Sequence, residues 1–173
     1  MPEGQPSIPA IVIRRAGTED APDIVSLLYE SFVEYKSLYT VEGFSATAIS
    51  EAEILDRMRE GPVLVATMNG TIVGTVAIVT KGESLYIRGM AVRPSNRGQH
   101  IGDQLLTDVE DFAVRHGIWR LFLSTTPFLT RAIRLYERFG FHRIDEKPQA
   151  LFGTPLFRME KLLPLSFSRS SHS

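Results

Sequence analysis

The chain has 173 residues, 43% of them hydrophobic, and 19 lysines and arginines against 20 aspartates and glutamates for a net charge of −1. That length and apolar content suit one compact domain with a substantial core, and so balanced a charge does not point to a nucleic-acid partner. The absence of cysteine excludes disulfides, thiolate metal sites and a cysteine nucleophile.

Residues 1–10, "MPEGQPSIPA", lack the apolar core of a signal peptide. They read as a disordered segment ahead of a domain at residues 11–163, with a polar tail at 164–173. No apolar run approaches the roughly 20 residues of a membrane span, so the expectation is a soluble, cytoplasmic protein with no membrane partner.

"IVIRRA" (Ile11 to Ala16) reads as a strand. Thr18 is a fair N-cap and Pro22 sits in the first turn of the helix that follows. That helix aligns Ile24, Leu27, Leu28, Ser31, Phe32 and Tyr35. "SLYTVEGFSATAIS" reads as a loop, and its Ser50 caps a second helix bearing Ile54, Leu55 and Met58. Asn69-Gly70, between "PVLVATM" and "TIVGTVAIVT", predicts a type I′ hairpin. "ESLYIRGMAV" continues the meander, with Gly89 marking a bulge or a close ligand approach. A helix follows with Ile101, Leu105, Leu106, Val109, Phe112 and Ala113 inward, ended by Gly117. "IWRLFLST" reads as a strand covered on both faces. "TPFLTRAIRLYERFG" reads as a helix with Pro127 near its start and Gly140 past its end. "FHRID" and "TPLFRMEK" close the order β-α-α-β-β-β-α-β-α-β-β. That order predicts an α/β fold with a mixed sheet and helices on both faces.

Charge is unevenly placed. Residues 19–60 carry ten acids and three bases, a net of −7; residues 88–143 carry nine arginines and five acids, a net of +4. A basic segment suits an anionic ligand and an acidic one a cationic ligand, although two solvated faces would look the same.

The stretch "RPSNRGQHIGDQLL", which as an isolated pattern reads as a helix cap, is sharpened by its place after the meander strand that ends in "MAVRP". Glycines in a turn between a strand and a helix aim backbone N–H groups at one point, where the helix dipole also favours negative charge. Gly98 and Gly102 permit close approach of a phosphate, and Arg97 adds a forked donor. A Walker loop is excluded because Asp103 follows Gly102, and the Rossmann spacing is absent. The site suits a pyrophosphate.

"MAVRPSNRGQHIGDQLL", followed after a strand by "RAIRLYERFGF", resembles the GNAT superfamily of acetyl-CoA-dependent N-acetyltransferases over about Ile11 to Leu163. The resemblance implies the GNAT fold, with a twisted, splayed sheet, and acetyl-CoA as co-substrate without a metal. By that likeness Arg97, Gly98, Gln99, His100, Ile101 and Gly102 form the pyrophosphate loop, and backbone groups of Met90 and Val92 hold the pantetheine arm. Val92 N–H would polarise the thioester carbonyl. Tyr136 matches the position of the family's usual acid, for direct attack by an amine without an acyl-enzyme. The implied function is transfer of an acetyl group to a primary amine of a small molecule. The alternatives are a protein or peptide acetyltransferase and a non-catalytic acyl-CoA sensor.

The sequence departs from the family pattern at three places. His100 replaces the first motif glycine, for which ordinary helical φ is expected, with a solvated imidazole. Tyr86, Arg88 and Met90 alternate on the acceptor side of their strand, and none is the carboxylate many relatives use as base. Water, Glu34, Tyr35 or Glu83 remain alternatives for that role. Leu129 replaces a cofactor-contacting asparagine; Thr125, Thr126 or Thr130 would supply a hydroxyl, or "STTP" caps the helix. The acceptor groove is expected along residues 30–44 and 147–153. Glu30, Glu34 and Glu42 would attract a cationic amine there, beside Tyr35, Tyr39, Phe44, Tyr86 and Phe152. "LFGTPLF" reads as an edge strand that would pair or swap in a homodimer.

Overall fold

The computed structural model describes residues 9–144 and 146–164. The expected N-terminal segment and C-terminal tail fall almost entirely outside them. The strands are β1 (Ile11–Arg15), β2 (Val63–Met68), β3 (Thr71–Lys81), β4 (Ser84–Val92), β5 (Arg120–Thr125), β6 (His142–Arg143), β7 (Gln149–Leu151) and β8 (Thr154–Leu162). The helices are α1 (Ala21–Phe32), α2 (Val41–Thr47), α3 (Glu51–Glu60), α4 (Ile101–Arg115) and α5 (Thr130–Arg138). The sheet runs β1-β2-β3-β4-β5-β8-β6, with β7 paired to β8. The β4–β5 pairing is parallel and the others are antiparallel. The expected mixed sheet is therefore present, with one more short strand and one more helix than the sequence pattern predicts.

β3 is the centre of the sheet because both its faces are covered. Residues from Ile72 to Val79 are all buried, a β-branched run that packs well on a pleated surface. One face carries the core shared with α1 and α3, including Ile24, Leu28, Ile54, Val65 and Ala77. The other carries the core shared with α4, including Val76, Ile78, Ile101, Leu105 and Val109. Gly74 sets the height of α4 over the sheet: a Cβ there would stand 2.9 Å from Ile101 Cγ2 and 3.1 Å from Leu105 Cδ1. At the β2–β3 turn Asn69 and Gly70 take φ of 51° and 78°, the left-handed pair that a type I′ turn requires.

Several local expectations are corrected. Thr18 is not a helix cap; it opens a 3₁₀ turn, Thr18–Asp20. Asp20 fixes this entry: its carboxylate accepts Gly17 N–H at 2.8 Å and both Arg14 Nη atoms at 2.7 and 2.9 Å. The Arg14 hydrogen bond outweighs burial and holds the Asp20 carboxyl below its usual range. α1 ends at Phe32, so Tyr35 lies on the following 3₁₀ stretch, Val33–Leu38. The expected loop contains α2, capped where Thr40 Oγ1 accepts Gly43 N–H at 2.9 Å. Ser50 caps α3 as expected. β5 alternates instead of being covered on both faces: Leu121, Leu123 and Thr125 are buried, while Arg120, Phe122 and Ser124 are half-buried. "LFGTPLF" is not one strand but the β7–β8 hairpin, turning at Phe152 and Gly153 with φ of 48° and 89°, and β7 pairs with β8 alone.

Candidate active site

β4 and β5 are paired only over Ser84–Tyr86 and Arg120–Phe122. Beyond them the strands part, and a cavity of about 770 Å³ opens between them. It runs from the start of α4 past Tyr136 to Tyr35, Tyr39 and Tyr86. A bulge in β4 shapes its wall. Thr75 faces Ala91 and Ala77 faces Arg88, so Gly89 and Met90 together oppose the single residue Val76. Gly89 has φ of 60°, a conformation that favours glycine.

The bulge overturns the expected alternation. An extra residue flips every side chain beyond it to the other face. Tyr86 and Arg88 keep the α3 side, where Arg88 Nη2 pairs with Glu60 and Tyr86 stacks on Phe122 at 5.1 Å. Met90 turns to the α4 side, its Cε 3.5 Å from where a Cβ of Gly102 would stand. Arg93 N–H bonds Val73 C=O on β3 at 2.8 Å, so the Val92 backbone groups, one residue earlier, face the splay. Val92 C=O already accepts Ser31 Oγ at 3.2 Å.

The loop before α4 leaves a row of backbone donors free. Among the described residues, the N–H groups of Gly98, Gln99, His100, Ile101, Gly102 and Asp103 have no acceptor; the first bonded one is Gln104, to His100 C=O at 3.1 Å. Gln99 Oε1 accepts Asn96 Nδ2 at 3.3 Å and so stays in the loop. His100 is not helical: φ is 59° and ψ 24°. The turn needs the left-handed conformation that glycine usually supplies, and histidine is among the side chains that tolerate it. Its imidazole is 79% exposed and lies 3.0 Å from Asp103. Burial disfavours the Asp103 carboxylate, but hydrogen bonds from Arg138 and His100 outweigh it and lower the carboxyl. Gly102 is buried; a Cβ there would meet Leu135 Cδ2 at 2.7 Å, so this glycine also lets α4 and α5 approach.

The two segments of opposite charge meet beside this loop. Glu30 pairs with Arg93, and Glu34 with Arg97. Glu34 therefore does not line the cavity as an acceptor residue; it straps the 3₁₀ stretch after α1 to the loop before α4. Glu30 and Glu42 do not line the cavity either, and Glu83 accepts Trp119 Nε1 at 2.9 Å in a turn. Among the described residues, the only carboxylate lining the cavity is Asp103.

Tyr136 lines the cavity, with Ala132 and Leu135 from the same helix. Its ring packs 5.8 Å from Phe141, and its hydroxyl makes no hydrogen bond among the described residues. Burial pushes the phenol above its ordinary range, so it holds its proton. Leu129 lines the cavity and its backbone precedes α5, with no side chain capping the helix. Thr126 is not the cap considered from the sequence. It is 2% exposed, and its Oγ1 is buried without a partner on the cavity wall.

The end of the cavity away from α4 is aromatic. Tyr39 packs edge-on against Phe128 at 4.8 Å, and Tyr35 lies 6.2 Å from the same ring. Phe44 is buried behind Tyr39, whereas Phe152 is 67% exposed and lies off the cavity. The residue that sequence reasoning missed here is Arg57 of α3, which lines the cavity against Gly89. Its spacing of three from Ile54 was the available signal, masked by Glu53 four residues before it, which reads as a surface partner.

A strand splay, a donor-lined turn and a buried phenol on one cavity define a transferase cleft. The profile of the acetyltransferase (GNAT) family matches residues 24–141, and the chain belongs to that family. An IAA acetyltransferase of Azospirillum brasilense is 40% identical over 92 residues, which span 52% of this chain and 59% of that protein. A thialysine N-ε-acetyltransferase of Bos taurus is 28% identical over 87% of this chain and 92% of that one. The crystal structure of PaiA N-acetyltransferase from Thermoplasma acidophilum in complex with coenzyme A superposes with a TM-score of 0.77. It is 21% identical, covering 88% of this chain and 99% of that one. The chain is thus an acetyltransferase of this family. Among the described residues, no helix is long and apolar enough to cross a membrane.

Proposed function

We propose that the protein transfers an acetyl group from acetyl-CoA to a primary amine of a small molecule. The observation that carries this is the row of free N–H groups from Gly98 to Asp103, opening onto a splayed cleft that Tyr136 lines. These donors and the α4 dipole fit a pyrophosphate. Arg97 lines the same cavity and would exchange Glu34 for a phosphate oxygen. Arg131 and Arg134 on α5 line the same end. Met90 and Val92 offer backbone groups along the splay, in the place of a missing third strand, for an extended pantetheine arm. The names of the thialysine and IAA acetyltransferase relatives support a small acceptor.

Acetyl-CoA, when bound, supplies an activated acyl carbon. Val92 N–H is positioned to stabilise charge on the acyl oxygen. The amine nitrogen bonds to the acyl carbon, the carbon–sulfur bond breaks, the departing thiolate takes the Tyr136 proton, and the proton shed by the acetylated nitrogen passes to water, from which Tyr136 is reprotonated. A thiolate in the same dry site is more basic than in water, which suits a phenol whose own pKa is raised. Since Asp103 is the only carboxylate lining the cavity among the described residues, the amine enters neutral or loses its proton to water.

Thermal unfolding with and without acetyl-CoA tests the reading. At about 100 times Kd, binding adds about 2.7 kcal/mol, a rise of about 5–10 °C for a domain of this size. No shift at millimolar acetyl-CoA would refute it.

A further inference from the structure

The charge around the cavity does not suit a cationic acceptor. Its charged lining is Arg57, Arg88, Arg97, Arg131, Arg134 and Arg138, with Asp103 as the one acid among the described residues. Asp103 is already held by Arg138 and His100. Four of these arginines stand on the phosphate loop or α5. Arg57 and Arg88 stand apart from them, on the α3 side of β4.

Their donors are unfilled. Arg88 gives Nη2 to Glu60, and its Nε is buried with no partner. Arg57 has no carboxylate within 4.0 Å and no hydrogen bond among the described residues. The bulge makes room for it: a Cβ at Gly89 would collide with Arg57 Nη1. Burial and then the neighbouring Arg88 charge lower the Arg57 pKa. Glu53 and Glu60 offset part of that, but Glu60 pairs with Arg88 and neither acid bonds Arg57, so the half-buried Arg57 guanidinium lacks a direct carboxylate partner and gains from one.

We propose that Arg57, with Arg88 beside it, binds a carboxylate of the acceptor, so that the acceptor is an amino-acid-like amine and not a polycation. A guanidinium presents a planar fork matched to the two oxygens of a carboxylate. The acids that would have drawn a polyamine or an aminoglycoside are on other work: Glu30 and Glu34 face Arg93 and Arg97, and Glu60 faces Arg88. This assignment rests on the acetyl-transfer reading above and names the substrate class of that site.

The test uses matched pairs of amines with saturating acetyl-CoA: a diamino acid against the diamine left by its decarboxylation, and an amino acid against its primary amide. The carboxylate-bearing member should have kcat/KM about 10–100-fold higher, the factor expected from hydrogen bonds to a charged group. Arg57→Met should raise KM for that member by a similar factor and abolish the preference, and Arg57→Lys should restore part of it. The acetyl-CoA thermal shift should survive both substitutions, which separates loss of acceptor binding from misfolding. If the parent binds acetyl-CoA but acetylates the decarboxylated amines equally well, or acetylates no carboxylate-bearing amine, the proposal fails alone. It also fails if Arg57→Met keeps the preference, or if amines carrying a phosphate are preferred over carboxylates. Loss of the acetyl-CoA shift in the parent overturns the acetyl-transfer reading and this proposal with it.

Discussion

His100 offers the most direct test of how the phosphate loop is built. Its φ of 59° and ψ of 24° place an L side chain in the left-handed region, which costs about 1–2 kcal/mol relative to right-handed backbone. The imidazole is 79% exposed, so its contact with Asp103 offsets little of that. His100→Gly removes the strain, while the freer unfolded chain of glycine costs about 0.4–1 kcal/mol. The two effects nearly cancel, and the variant should unfold within about 1 kcal/mol of the parent. His100→Val differs only in side chain yet places a β-branched residue at positive φ, a true outlier. It should lose a further 1–2 kcal/mol or so, read by circular dichroism as a fall of about 2–8 °C. It should also weaken acetyl-CoA binding about tenfold, since a loop relaxed out of the left-handed turn no longer aims its N–H groups at one point. His100→Gly should bind within about threefold of the parent. If His100→Val matches the parent in both stability and affinity, the left-handed turn is not what the loop needs, and the account of the donor row is wrong.

Tyr136→Phe should leave acetyl-CoA affinity unchanged and lower kcat about 100-fold or more, the scale of a lost general acid; an unchanged kcat would remove Tyr136 from the mechanism. Because burial raises the phenol, the parent's kcat should show no fall assignable to Tyr136 up to about pH 10, the ordinary phenol pKa. Glu34→Gln should tighten acetyl-CoA severalfold by releasing Arg97, and Arg97→Ala should weaken it about 10–100-fold, both read by titration calorimetry. Asp20→Asn should cost about 1–3 kcal/mol. The Asp20 carboxyl is lowered in the folded state, so its contribution is full above the unfolded pKa of about 4 and is lost as pH falls through the folded value. A thermal midpoint as acid-sensitive in the variant as in the parent would contradict that.

The parts of the fold legible in the sequence are those where one local rule acts alone. Asn69-Gly70 reads as a hairpin because few other dipeptides supply two left-handed residues, and Ser50 reads as a cap because its side chain meets its own helix. Gly89 reads as a bulge for the same reason. What the bulge does was not legible. Strict alternation puts Met90 beside Tyr86 and Arg88, but the added residue sends it to the α4 side. His100 failed in the opposite direction: composition argues for ordinary helical backbone, and the turn geometry overrides it. α2 was hidden because "VEGFSAT" has a glycine and no clean apolar stripe; it is held by Thr40 and by Phe44 packing on Tyr29 and Tyr39.

Charge shows why the site was only half legible. The acidic segment 19–60 and the basic segment 88–143 suggest two ligands of opposite sign, a phosphate and a cationic amine. In three dimensions the segments neutralise each other first, through Glu30–Arg93, Glu34–Arg97 and Glu60–Arg88. Linear charge counts do not report which side chains are left over. With those pairs formed, no acid from residues 19–60 lines the cavity, and Arg57, although it belongs to the acidic segment, is the side chain of that segment that brings charge into it. The sign of the acceptor pocket is therefore set by a residue whose neighbours in sequence are mostly acidic. It follows from pairing and burial, and the net charge of −7 on residues 19–60 points the wrong way.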